Sequence, residues 1–195
     1  MVSTTYKWSI EKWHELVDSG VLEGQKVELL EGDIVEMSPE GVEHSFTNES
    51  IVIYLRNKLS RLAHVRESHP ITLDNSPHSS RQGGIIRASE PEPDIAIVRL
   101  PLTIYRTHHP YAEDIYWLIE VSQRTLKKDL EQKVTTYARN GIFEYWVIDL
   151  KNKKLIIHTQ PSKDKYLQVV KYQSGTVTPQ AFSNIEIAID ELLLY

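Results

Sequence analysis

One stretch decides the fold: Ile115-Tyr116-Trp117-Leu118-Ile119-Glu120-Val121-Ser122. Its apolar residues run with a single charged interruption, the pattern of a strand covered on both faces. Leu126–Asn140 then carries a helical pattern, which Gly141 closes from the C′ position. Phe143–Asp149 is a second apolar run. A strand, a helix and a strand make a right-handed crossover if the two strands are parallel. Upstream, Asp94-Ile95-Ala96-Ile97-Val98 reads as a third buried strand of the same sheet.

Working outward, Lys154–Thr159 and Tyr166–Tyr172 are further strands around a turn at Ser162-Lys163-Asp164, and Ile185–Leu194 is an amphipathic tail. Toward the N-terminus, Asp74–Pro91 is rich in Ser, Pro, Gly and Arg and reads as a loop or flap. Glu43–Leu62 places Ile51, Val52, Leu55, Leu59 and Leu62 at spacings of three and four, a long helix. Val27–Leu30 and Asp33–Met37 flank Glu31-Gly32 and predict a hairpin. Ser9 caps a short helix over Ser9–Ser19, ended by Gly20. The expected class is therefore α/β: a mixed central sheet flanked by helices, with an N-terminal hairpin, residues 1–195 forming one domain.

Composition narrows the chemistry. The chain has 195 residues, 41% of them hydrophobic and 25% charged, ordinary for a globular protein. It has no cysteine, which removes disulfides, thiolate metal sites and cysteine nucleophiles and is compatible with a reducing cytoplasm. No apolar run approaches the ~20 residues of a membrane helix, and the N-terminus lacks the pattern of a signal peptide. The net charge is −5. A nucleic-acid surface on such a chain is local, or depends on a metal ion to cancel nearby acidic charge. His-Glu-x-x-His, phosphate-loop and Gly-x-Ser-x-Gly motifs are all absent. Arg81 and Arg87 are loop residues that read either as contacts to a phosphate backbone or as simply solvated, and His108-His109 reads as surface. Tyr145-Trp146 reads as core.

Two acidic residues stand out. Asp94 opens a strand after Pro93; alone, it reads equally as a solvated cap. Glu120 interrupts an apolar strand, and a buried carboxylate needs a partner. That partner is either a cation pinning the sheet or a metal ion at the strand end. The pair says more than either member. Magnesium takes oxygen ligands, commonly one or two carboxylates plus water and phosphate, and adjacent strands can offer an Asp and a Glu to one ion.

Pro93-Asp94 followed by Glu120-Val121-Ser122 resembles the signature of the PD-(D/E)xK nucleases, with Ser122 where a lysine is usual. The chain resembles, more specifically, the Uma-type "putative restriction endonuclease" family. The matching pieces are Glu28–Val35, Met37-Ser38-Pro39, His44, Pro93-Asp94, Glu120-Val121-Ser122, Asp129 with Lys133 and Tyr137, and Gly141–Trp146, in order from about Trp8 to Ile157. The resemblance implies a metal-dependent endonuclease acting on DNA. It implies that Asp94 and Glu120 bind magnesium or manganese, that Glu28 completes the metal set, and that Lys133 replaces the missing strand lysine. His44 would contact phosphate or position water.

Each of these residues has a plainer role open to it. For Lys133 it is an exposed ion pair with Asp129, for Glu28 an exposed strand carboxylate facing Lys26 or another cation, and for His44 a surface position at a helix start. A symmetric homodimer would allow two strands to be cut, and a cytoplasmic location is expected. A nuclease-fold module that binds nucleic acid or a protein partner without catalysis is the alternative, and Ser122 and the acidic charge leave it open.

Overall fold

The computed structural model describes residues 5–74 and 88–194. Arg81, Gly83, Gly84 and Arg87, and most of the expected loop at Asp74–Pro91, lie outside the described residues. Its flanks are within them and are buried: Leu73 bridges Ser89, and Leu29 bridges Glu90.

The chain begins with α1 (Ile10–Asp18), whose Ser9 cap accepts a hydrogen bond from the Lys12 N–H. The strands β1 (Val27–Leu30) and β2 (Asp33–Glu36) pair antiparallel. Their turn puts Glu31 and Gly32 both at positive φ, 52° and 78°, the left-handed pair that a tight hairpin needs. α2 (Val42–Leu59) follows, then β3 (His64–Glu67), β4 (Ile95–Val98) and β5 (Ile115–Ser122). The expected crossover helix is divided. α3 (Leu126–Lys128) leads into a π-helical turn, Asp129–Lys133, and then α4 (Val134–Arg139). Gly141 at φ 73° closes it, as its position in the sequence predicts. β6 (Glu144–Asp149), β7 (Lys154–Ser162) and β8 (Lys165–Tyr172) complete the large sheet. β9 (Thr176–Val177), β10 (Ile187–Ala188) and α5 (Ile189–Leu193) form the tail.

The main sheet runs β3-β4-β5-β6-β7-β8. Its β5–β6 pair is parallel and the others are antiparallel, so the sheet is mixed, as expected. Strand alternation divides the core in two. Ile95, Ile97, Trp117, Ile119, Val121, Trp146 and Ile148 pack under α2 and α5. Ala96, Val98, Leu118, Tyr145 and Val147 pack on the opposite face with Tyr137 and Ala138 of α4. Trp146 and Tyr145 are fully buried, as read from the sequence. Among the described residues, no helix is long and apolar enough to cross a membrane.

Three local readings change. β3 was not expected; as a four-residue edge strand carrying His64, Arg66 and Glu67, it lacks the apolar alternation that marks a strand. α2 stops at Leu59 rather than Leu62, because the Leu59 carbonyl accepts both the Leu62 and Ala63 N–H groups in a closing turn. His108 and His109 are half-buried rather than on the surface, with His108 stacked 4.8 Å from Tyr111.

Candidate active site

The register between β4 and β5 builds the centre of the site. Ile95 pairs with Ile119, so the next step of the antiparallel ladder sets Asp94 opposite Glu120. Asp94 extends that ladder with its side chain: Oδ2 accepts the Val121 N–H at 2.6 Å. His44, in the first turn of α2, places Nε2 3.1 Å from the same oxygen. Burial lowers the basicity of His44. The hydrogen bond and charge of Asp94, with Glu40 and Asp129 behind them, outweigh that and hold its pKa above the ordinary histidine value.

Glu120 projects toward α4, on the face of Leu118 and Ser122 that alternation assigns to it. It is buried, and its Oε1 accepts two donors, Lys133 Nζ at 2.7 Å and Tyr137 OH at 2.8 Å. Residues 133 and 137 share a helix face, which lets both reach one oxygen. Burial pushes the Glu120 carboxyl above the ordinary carboxylate range; the charge of Lys133 opposes this, and the nearby Asp94 and Asp129 add to it. Burial alone would strip the Lys133 proton. Glu120, Glu28, Asp129 and Asp94 reverse that and hold the ammonium charged, above its usual range.

Lys133 and Asp129 are therefore not an exposed ion pair. Both are buried, and Asp129 accepts the hydroxyls of Ser122 and Thr125 instead. Ser122, which stands where a lysine is usual, is thus tied to the π-helical turn that supplies Lys133. Such turns recur at functional sites because they re-aim side chains within a helix.

Glu28 lies in β1, buried rather than exposed. Its Oε1 accepts Lys128 Nζ at 2.6 Å, and its Oε2 accepts the Glu92 N–H at 3.2 Å. The cation it meets is Lys128 rather than Lys26. The structure brings all five expected residues, Glu28, His44, Asp94, Glu120 and Lys133, to the wall of one cleft of about 80 Å3.

Sequence reasoning missed Lys128, Glu92 and the hydrogen bond made by Tyr137. Nothing local separates Lys128 from Lys127 at the helix entry. Glu92 did leave a signal, because in an extended segment it shares a side with Asp94, two residues on. Burial and the charge of Glu28 raise its pKa.

The cleft is short of cations. Its lining carries six carboxylates (Glu28, Glu40, Glu92, Asp94, Glu120, Asp129) against three cations (Arg124, Lys128, Lys133). Among the described residues, no three His, Asp or Glu side chains gather closely enough to hold an ion by themselves. A set of Asp94 and Glu120 completed by water and phosphate is the arrangement magnesium ordinarily accepts. The acidic excess fits a divalent cation, and the residues present fit it through two carboxylates rather than three.

No curated protein matches the sequence. The crystal structure of "a putative nuclease belonging to DUF820" from Anabaena variabilis ATCC 29413 superposes with a TM-score of 0.61. That match covers 86% of this chain and 89% of the other at 16% identity, a likeness of fold. The model of the Uma2 family, described as "Putative restriction endonuclease", matches residues 11–190. With nearly the whole chain inside that match, the protein belongs to the Uma2 family.

Proposed function

We propose that this protein is a metal-dependent nuclease that hydrolyses phosphodiester bonds in DNA. The observation that carries the reading is the cross-strand pair Asp94 and Glu120, set in a cation-poor cleft with Lys133 2.7 Å from Glu120. Asp94 and Glu120 would hold magnesium or manganese, with Glu28 adding negative charge to the same cleft. The ion would polarise a phosphoryl oxygen and lower the pKa of a bound water.

The chain's own residues would do the rest. Lys133 would hold a positive charge where the transition state gathers negative charge, a role worth on the order of 10²–10³ in rate. Tyr137 would share Oε1 of Glu120 with Lys133 and fix the carboxylate's rotamer. His44 would orient Asp94, and it lines the cleft within reach of a substrate phosphate. Two copies in a symmetric dimer would cut two strands.

The test is cleavage of a labelled duplex with magnesium, manganese or EDTA. Wild type should cut with metal, Glu120→Gln should not, and Lys133→Ala should be slower by about 10²–10³. A second reading, a module that binds without catalysis, is favoured by one observation. Lys133 already neutralises Glu120, and Lys128 neutralises Glu28. That reading takes over if wild type cuts neither DNA nor RNA with any divalent ion.

A further inference from the structure

A cleft with twice as many carboxylates as cations does not by itself draw in a polyanion, so attraction for a nucleic acid has to come from elsewhere on the surface. Resting on the nuclease reading, we propose that β3, which among the described residues pairs with β4 alone, is a basic track at the edge of the sheet that binds the phosphate backbone of duplex DNA and leads it to the cleft.

The sequence concentrates charge there. From Ser50 to Arg66 the chain has four cations, Arg56, Lys58, Arg61 and Arg66, and no acidic residue, although its net charge is −5. The structure gathers Arg56 and Arg66 from this stretch, together with Arg99, around β3. Arg56 reaches across from α2 to the Val65 carbonyl at 3.4 Å, at the edge of the sheet. Arg66 lies over the Tyr105 ring at 5.9 Å. His64 pairs with Val98, which places Arg99 at the same end of β3, with its guanidinium 4.8 Å from the Tyr116 ring. An aromatic face under a guanidinium holds the charge in place at low cost. Glu67 offsets part of this charge through Arg56 at 3.5 Å. His64 registers the local field, since burial first, and then Arg66, Arg56 and His69, push its pKa down.

The track is continuous with the site. β3 runs antiparallel to β4, so its Glu67 end lies beside the start of β4, and the Ser68 N–H donates to the Asp94 carbonyl at 3.0 Å. Four residues of strand span roughly 13 Å at about 3.3 Å each. That is about four base pairs of duplex at 3.4 Å per step. Bonds of this kind go to phosphate and carry position rather than sequence.

The experiment measures binding of an end-labelled duplex in EDTA, where no metal-assisted cleavage competes, as a function of salt. The track variant is Arg56→Ala with Arg66→Ala and Arg99→Ala. The control removes three lysines at and near the opposite edge of the sheet, Lys151→Ala with Lys165→Ala and Lys171→Ala, and changes net charge equally. Thermal melts confirm that both fold. The expected result is at least a tenfold loss of affinity in the track variant. The slope of log K against log salt should become shallower by about 2 to 3, at about 0.9 for each phosphate the protein no longer neutralises, with the control near wild type. Equal losses in the two variants, or an unchanged slope in the track variant, overturn the track. If wild type still cuts duplex in that case, the nuclease reading stands without it. Wild type that neither binds nor cuts overturns both.

Discussion

Lys133 Nζ lies 2.7 Å from Glu120 Oε1, with the two side chains only 7% and 4% exposed. A pair this dry costs desolvation on both sides, and removing one member leaves the other buried without its counter-charge. The same ion pair therefore bears on the folded state and, in the proposed mechanism, on cleavage, and mutations here are expected to report on both.

For stability, Lys133→Ala should lose about 3–5 kcal/mol, the usual cost of orphaning a buried charge. Lys133→Met combined with Glu120→Gln should lose clearly less, because no charge is left behind. Urea unfolding of the single and double variants checks this. A double variant at least as unstable as Lys133→Ala would show that the pair stabilises by more than mutual neutralisation.

Tyr137→Phe keeps the ring, which packs edge-on against Tyr145 at 4.9 Å, and deletes one donor to Glu120. A hydrogen bond to a charged group contributes about 1.5–3 kcal/mol, and a loss of that size is expected in urea unfolding. A change within error would mean that Lys133 alone satisfies the carboxylate.

Metal should stabilise the fold through Asp94 and Glu120. The linked effect is RT ln(1 + [L]/Kd), about 2.7 kcal/mol at a hundredfold excess over Kd. Thermal melts with and without magnesium should show this shift in wild type and lose it in Glu120→Gln, which keeps the side chain's shape. An identical shift in both proteins places the ion elsewhere.

The stability of the fold should also depend on pH through His158, which does not line the cleft. Its ring stacks on Tyr145 at 5.5 Å, and burial pulls its pKa down to about 4. An unfolded histidine titrates near ~6.5. Between those values the unfolded chain binds more protons, so stability rises with pH across the window. The contribution is complete above about 6.5 and is lost as pH falls toward about 4, up to about 3 kcal/mol in all. The urea midpoint of wild type should drop over that range, and His158→Phe should flatten the drop. A variant with the wild-type slope assigns the dependence to other groups.

The chain's local order determined more than its secondary structure. Because strand side chains alternate, the run Trp117–Ser122 was bound to turn Glu120 and Ser122 away from Trp117, Ile119 and Val121. The helix that follows carries Asp129, Lys133 and Tyr137 at spacings of four, on one face. Those relations span a few residues and follow from backbone geometry, so the sequence alone holds them. Other relations depend on which strands meet and in what register, and no short window of sequence contains that. The register of β4 on β5 put Asp94 opposite Glu120. Docking of the hairpin against α3 chose Lys128 over Lys127 as the partner of Glu28, 100 residues away. Depth of burial decided that Lys133 and Asp129 are interior groups rather than solvated ones. β3 was illegible for a related reason: an edge strand gains its hydrogen bonds from β4 and needs no apolar pattern of its own to form.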